Sequence, residues 1–447
     1  LFGLPAEAIW PEVGENDFRI SFEGGTGTVP PTVGAAAVRF SPSLQEYFVA
    51  WTAFDSDNRI AARRLNLDGT PSSPSFVIAE GGDLVLADVA YSPTHDHYLV
   101  IWSNPAAGGV LAARLVSPTG LILTPTLSIV APCADSQGCQ PKATFSAAAD
   151  EFLVVWSWDE STATRRVMAR RLDGETGAPL FPPFAVSDGL GEEYDPAVAY
   201  HAGVDEYLVV WTLVQPNDVD LVAQRLDGVA AGQVGPNDFV ISSGPGLNFG
   251  AFRPDIAYNS VDQEYLVVWQ GRSGGSGPLA DGEMELFGQR LSAQGSEIGT
   301  DDFRLTDVGD LGSAAFFPSA PKVDFIPSSG LFLVVWSGND NTGGLFHTEH
   351  EIFGQLLDRD GHEVGPNDVR LSDAGGTGTA RFLATNPRVA SSDVAGEFLV
   401  IWTADENLPD MAEDEFEVYG QRIETNLMIF ADGFESGNLS AWSTSVP

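Results

Sequence analysis

EYLVVW, residues 206–211, is an apolar run that ends in Trp211 and opens the segment DEYLVVWTLVQPNDVDLVAQRLDG at 205–228. Near copies recur along the chain: EYFVAW, HYLVIW, EFLVVW, EYLVVW, LFLVVW and EFLVIW end at Trp51, Trp102, Trp156, Trp269, Trp336 and Trp402, at spacings of 51 to 67 residues. Periodicity of this length signals a repeat architecture, which has to be recognised before any domain count. Shorter runs such as AVAY at 197–200 and DIAY at 255–258 precede the hexapeptide. A third run follows it, as in VAQRLD at 222–227 and LFGQRL at 286–291, and then a fourth, as in NDFVIS at 237–242, DDFRLT at 301–306 and NDVRLS at 367–372. Gly, Pro, Asn and Asp punctuate these β-branched and aromatic segments, so each repeat reads as a four-stranded antiparallel meander. The second run does not alternate, as expected of a strand covered on both faces.

Seven such units predict an all-β, seven-bladed β-propeller spanning residues 12–423, with an extension at 1–11 and a tail at 424–447. A solenoid is the alternative, and the ends of the repeat array argue against it. The seventh unit has PRVAS, EFLVIWT and FEVYGQRI but no fourth strand. EVGENDFRIS at 12–21 matches the fourth-strand segment EVGPNDVRLS at 363–372, so Asp17 to Ser21 is expected to pair beside the strand ending at Ile423. That pairing would close a ring and remove two exposed sheet edges. The pattern resembles the secreted bacterial β-propeller repeats of the EYLVVW…GQRLD…G type. In the tail, FADGFESGNLSAW is similar to a C-terminal signature of secreted gammaproteobacterial proteins, which implies export or surface display.

Composition narrows the function. Lys and Arg total 22 against 62 Asp and Glu, a formal charge of −40. A surface of that sign repels nucleic-acid backbones and anionic lipid, while 43% hydrophobic residues exclude a disordered acidic chain. No apolar run reaches the roughly 20 residues of a membrane span. The chain begins at Leu1, which suggests a leader already removed and a secreted, extracellular or surface location. Cys133 and Cys139, the two cysteines, sit in APCADSQGCQP and are expected to form a disulfide. Ile9 and Trp10 in the extension, and Leu427, Met428, Ile429, Phe430, Phe434 and Trp442 in the tail, are candidates for self-association by strand donation.

Residues that recur in every repeat should serve the scaffold, and site residues should depart from it. The seven tryptophans are therefore expected in the core. Arg64, Arg114, Arg171, Arg225, Arg290 and Arg422 are expected to pair with acids on adjacent strands, with Leu356 replacing the arginine in repeat 6. Longer loops in repeats 5 to 7 carry Asp340, Glu349, Glu351, Asp405, Glu406, Asp410, Glu413 and Asp414, hard oxygen ligands that suit calcium, although no EF-hand spacing is present. His347 and His350 could seat zinc, but no third ligand can be named. The first strands should line a central channel, where the opening positions read Ala37, Asp88, Lys142, Ala197, Asp255, Lys322 and Arg388. Lys142 and Lys322 are the only lysines of the chain. Their shared position predicts a mixed-charge channel mouth, held by ion pairs with Asp88, Asp255 and Asp324 or open to a small anion.

No nucleophile elbow, phosphate loop or dinucleotide fingerprint occurs. The sequence therefore points to a non-enzymatic extracellular structural or adhesive propeller, assembling with copies of itself through its terminal segments, and with calcium as the one candidate cofactor. The alternatives are a lectin-like binder of surface glycans or a small ligand, and a hydrolase built on the loops of repeats 5 to 7. Given the charge, any assembly is expected to be favoured by salt or calcium.

Overall fold

The computed structural model describes residues 12–425 except 24–31, 55–57, 131–138, 162–163, 217, 230–231, 243–249, 273–282, 309–314, 341–347, 375–381, 406–410 and 412–414. The described chain is all-β, with 28 strands and a single 3-10 turn at Pro105–Ala107. They form sheets of four antiparallel strands, and those of repeats 4 and 5 are joined by one parallel bridge, Val219 to Gly250. Repeat 4 shows the pattern: Glu192–His201, Glu206–Gln215, Asp218–Asp227 and Gln233–Val240 follow one another across the sheet. EYLVVW is the second strand throughout, flanked on both sides and buried, which explains why it does not alternate.

Glu12–Arg19 supplies the fourth strand of repeat 7, pairing antiparallel with Phe416–Glu424 through Glu12 opposite Ile423 and Arg19 opposite Tyr419. That last strand runs one residue past the expected boundary. Val418 N donates to Ser21 Oγ at 2.7 Å, and Arg19 Nη2 meets Glu417 at 2.5 Å. Ile20 N donates to Val418 O at 2.7 Å, as Ile241 N donates to Leu221 O at 2.8 Å in repeat 4.

The core lies between sheets. Each apolar cluster is shared by two consecutive repeats, for example Ala50, Ile60 and Ile78 of repeat 1 with Val89, Val100 and Trp102 of repeat 2. One cluster joins the ends of the array, placing Val38 and Trp51 of repeat 1 against Leu399 and Ile401 of repeat 7, with Ile20 between them. The seven tryptophans are buried as expected, none more than 3% exposed. A turn glycine marks the same interface: a Cβ on Gly295 would come within 2.6 Å of Phe239 from the preceding repeat, and one on Gly69 within 2.7 Å of Phe18. Both glycines have positive φ, 82° and 83°, so the turn needs glycine for its backbone as well as for the room.

The arginine expectation holds at five positions. Arg64, Arg171, Arg225, Arg290 and Arg422 pair with Glu46, Glu151, Glu206, Glu264 and Glu397 at 2.5 to 3.0 Å, each acid being the residue that opens its second strand. Arg114 does not belong to this set. It stands opposite Val100, as Arg63 stands opposite Val49, and its guanidinium donates to Ile78 O of the preceding repeat. The position equivalent to Arg64 in repeat 2 is Leu115, opposite Leu99. Repeat 2 opens its second strand with His97 and repeat 6 with Leu331, so where the acid is missing the arginine is missing too. A lone guanidinium at a mostly buried site would be left uncompensated.

Candidate functional site: the axial cavity

First strands of all seven repeats meet around a cavity of about 520 Å³, whose wall includes Arg39, Asp88, Lys142, Ala197, Asp255, Lys322 and Arg388. A second chamber of about 370 Å³ continues from it, walled by Gln140, Lys142, Asp195, Arg253, Lys322, Asn386 and Arg388. Lys142, Lys322 and Arg388 border both chambers and so form the waist between them.

The register explains this convergence. Ala37, Asp88, Lys142, Ala197, Asp255, Lys322 and Arg388 pair with Ala50, Ile101, Val155, Val210, Val268, Val335 and Ile401. Each partner is the residue immediately before the repeat tryptophan, so the seven positions are equivalent, as expected from the sequence. In repeats 3 to 7 a proline precedes the position, and the residue before that proline has positive φ: Gln140 44°, Asp195 51°, Arg253 53°, Ala320 53° and Asn386 56°. Left-handed backbone at non-glycine residues is strained and persists where surrounding structure imposes it. This x-Pro corner breaks the ladder just before the position and turns the preceding side chain towards the second chamber. Gln140, Asp195, Arg253 and Asn386 are thus site residues that the sequence reading missed, although the recurring x-Pro would have pointed to them.

The acids of the cavity are largely engaged. Asp88 accepts from Ala143 N at 3.0 Å and lies 3.3 Å from Arg39. Asp255 accepts from Val323 N at 3.0 Å, and Asp324 from Ser391 N at 2.7 Å. Each of these bonds ties one first strand to the first strand of the next repeat. The cations are less well matched. Lys322 Nζ donates to Pro321 O at 2.8 Å and stands 3.7 Å from Asp255. Arg388 Nη1 donates to Pro387 O at 2.9 Å and pairs with no carboxylate among the described residues. Lys142 makes no hydrogen bond or ion pair to a described residue, so of the expected pairs only that of Lys322 with Asp255 forms. Burial lowers the pKa of all three, to about 8 for Lys142; Arg388 and Lys322 add to the effect on Lys142, while Asp88 opposes it. Burial likewise raises Asp195 and Asp324. The waist is therefore a partly desolvated, under-neutralised positive centre in a chain of formal charge −40.

Among the described residues, the acids proposed for calcium do not form a group of three or more within reach of one ion. Glu351 is buried and accepts from Ser372 Oγ and, at 3.1 Å, from Ala374 N, which fixes the fourth strand of its repeat to the third. Glu285 and Glu417 hold the equivalent positions with Thr306 and Ser21, so Glu351 belongs to the scaffold. Asp340, Glu349 and Asp405 are at most 4% exposed and do not lie on an open loop surface. Glu406, Asp410, Glu413 and Asp414 fall outside the described residues, as does His347. His350 packs edge-on against Phe317. Among the described residues only Asp358, Asp360 and His362 come close enough to share an ion, and Asp358 Oδ1 there accepts from Asp360 N and His362 N, each at 2.9 Å, as in an ordinary turn. Cys139 is buried and is not a free thiol, whereas Cys133 lies outside the described residues. So do Ile9, Trp10, Leu427, Met428, Ile429, Phe430, Phe434 and Trp442. A groove of about 480 Å³ between repeats 1 and 2 offers no stacking face for a sugar, its Trp102 being 3% exposed. No helix of the described residues is long and apolar enough to cross a membrane.

No family model matches the chain, and no curated protein is similar to it in sequence. Among solved structures, a protein of unknown function from Dyadobacter fermentans is 12% identical with a TM-score of 0.50, over 92% of this chain and 98% of the other. The hydrazine synthase of Kuenenia stuttgartiensis is 10% identical with a TM-score of 0.51, over 89% and 98%. At such identities the likeness is one of fold alone, a propeller-like arrangement of β-sheets.

Proposed function

We propose that the seven sheets form a closed seven-bladed propeller and that the molecule is a non-enzymatic extracellular binding module that takes a small organic anion on its axis. The observation that supports the reading is the waist, where three register-equivalent cations meet and, among the described residues, only Lys322 stands within ion-pair distance of a carboxylate. Chambers of about 370 and 520 Å³ are of a size for metabolite-scale ligands. An anion there would supply the countercharge that the backbone-bound Asp88, Asp255 and Asp324 do not. No observation in the described residues favours the fibre-forming role over this one.

Titration calorimetry with malonate, phosphate and sulfate tests the reading. At least one should bind, and Arg388→Met and Lys322→Met should each weaken it by about tenfold or more, the equivalent of 1.4 kcal/mol. Binding should be accompanied by proton uptake near pH 8, because an anion favours the charged form of Lys142. Absence of heat with all three anions, or binding unaffected by both substitutions, would refute it.

A further inference from the structure

The chain's only two lysines occupy equivalent positions in repeats 3 and 6, yet their surroundings differ. Lys322 has the Pro321 carbonyl at 2.8 Å and Asp255 at 3.7 Å to hold its ammonium. Lys142 has neither. The acid that most favours its charge, Asp88, is already bound by Ala143 N and Arg39. Arg388 and Lys322 act in the opposite sense and Asp255 in the same sense as Asp88. Asp195 and Arg253 stand on the wall of the second chamber, and Asp324 and Arg39 on that of the first.

We propose that Lys142 is a nucleophilic amine that captures the carbonyl carbon of a small anionic aldehyde or 2-oxo acid as an imine, while Arg388 and Lys322 hold the ligand's carboxylate. The proposal rests on the anion-binding reading and specifies its ligand class. Nζ of neutral Lys142 attacks the carbonyl carbon and a C–N bond forms. One amine proton passes to the oxygen to give a carbinolamine, and the oxygen then leaves as water with the second amine proton. Nothing is oxidised or reduced. A lysine made reactive by desolvation and by neighbouring cations is a recurrent route to such chemistry. With the pKa pushed down to about 8, roughly half of Lys142 is neutral at pH 8, against well under about 1% of an ordinary lysine. Lys142 borders both chambers, so the carbonyl can approach from either while the two neighbouring cations remain free for the carboxylate.

Glyoxylate with cyanoborohydride at pH 8, followed by peptide mapping of the full chain, tests this without ambiguity because two lysines are present. Lys142 should acquire a carboxymethyl group at least tenfold faster than Lys322, excess malonate should slow the reaction, and glyoxylate should outpace neutral acetaldehyde. Lys142→Arg should abolish the fast adduct, with an unchanged near-ultraviolet circular dichroism spectrum as the check on fold. If malonate binds but Lys142 is labelled no faster than Lys322, the imine is overturned and the anion site stands. If Lys142 is labelled fast, malonate does not bind and acetaldehyde reacts as quickly as glyoxylate, the anion reading fails and the proposal in this form fails with it.

Discussion

Replacing Ile20 with alanine probes whether the N-terminal strand closes the ring. Ile20 is fully buried in the cluster that joins repeats 1 and 7, and its amide donates to Val418 O. Removing three buried carbons forfeits about 2.4 kcal/mol of transfer energy at about 0.8 kcal/mol each, and a residual cavity brings the loss to about 3 kcal/mol. For a single cooperative unit of this size, such a loss lowers the thermal midpoint by roughly 4 °C. Ile241, equally buried and bonded in the same way to Leu221 O in repeat 4, is the internal reference. In a closed ring Ile20→Ala and Ile241→Ala should lower the calorimetric midpoint equally, each with one transition. If Ile20→Ala leaves the midpoint unchanged while Ile241→Ala lowers it, the strand frays independently and closure by residues 12–21 is refuted.

Stability should fall between pH 5 and pH 8.5. Burial pushes the carboxyls of Glu193, Glu285 and Asp368 up to about 7 and that of Glu351 up to about 8. Their folded forms hold protons that the unfolded chain releases near pH 4.5, so their contribution is complete below that pH and is lost as pH rises through 7 to 8. Midpoints measured across this range should show the slope, and Glu351→Gln should flatten it; an unaltered slope would mean that Glu351 does not titrate in this range. The Glu264 and Arg290 pair should be replaceable as a unit. Glu264→Leu alone should destabilise by about 2 kcal/mol, because it leaves a mostly buried guanidinium with only the more distant and largely exposed Asp360, while adding Arg290→Leu should restore most of that, as Leu331 and Leu356 do naturally in repeat 6. A double-mutant cycle by urea denaturation measures the coupling, and additive losses would contradict it.

Sheet order and register were legible because EYLVVW is dictated by burial on both faces, and the axial positions followed by counting back from each tryptophan. What could not be read was which charges meet. Asp88 and Asp255 both look like partners for the lysines in sequence, but Asp88 is bound by Ala143 N and Arg39, whereas Asp255 meets Lys322 while also accepting from Val323 N, and those contacts depend on how neighbouring sheets are set. Glu351 is placed in the sheet, bonded to Ser372 and Ala374, rather than on a loop. Its equivalence to Glu285 and Glu417 is visible in the sequence, and the rule that recurring residues serve the scaffold would have excluded it as a metal ligand. Arg114 was displaced by one position because VLAARLV at 110–116 carries its arginine one residue earlier than the other repeats.

The x-Pro corner has a consequence for how such a molecule can change. Proline fixes the local backbone whatever follows it, and the positions it precedes already hold alanine, aspartate, lysine and arginine on one axis. The five residues that follow the proline, Lys142, Ala197, Asp255, Lys322 and Arg388, all line the axial cavity. The corner thus holds the backbone while the side chain beyond it varies, and a lineage could move from one axial guest to another by single steps at Lys142, Lys322 and Arg388.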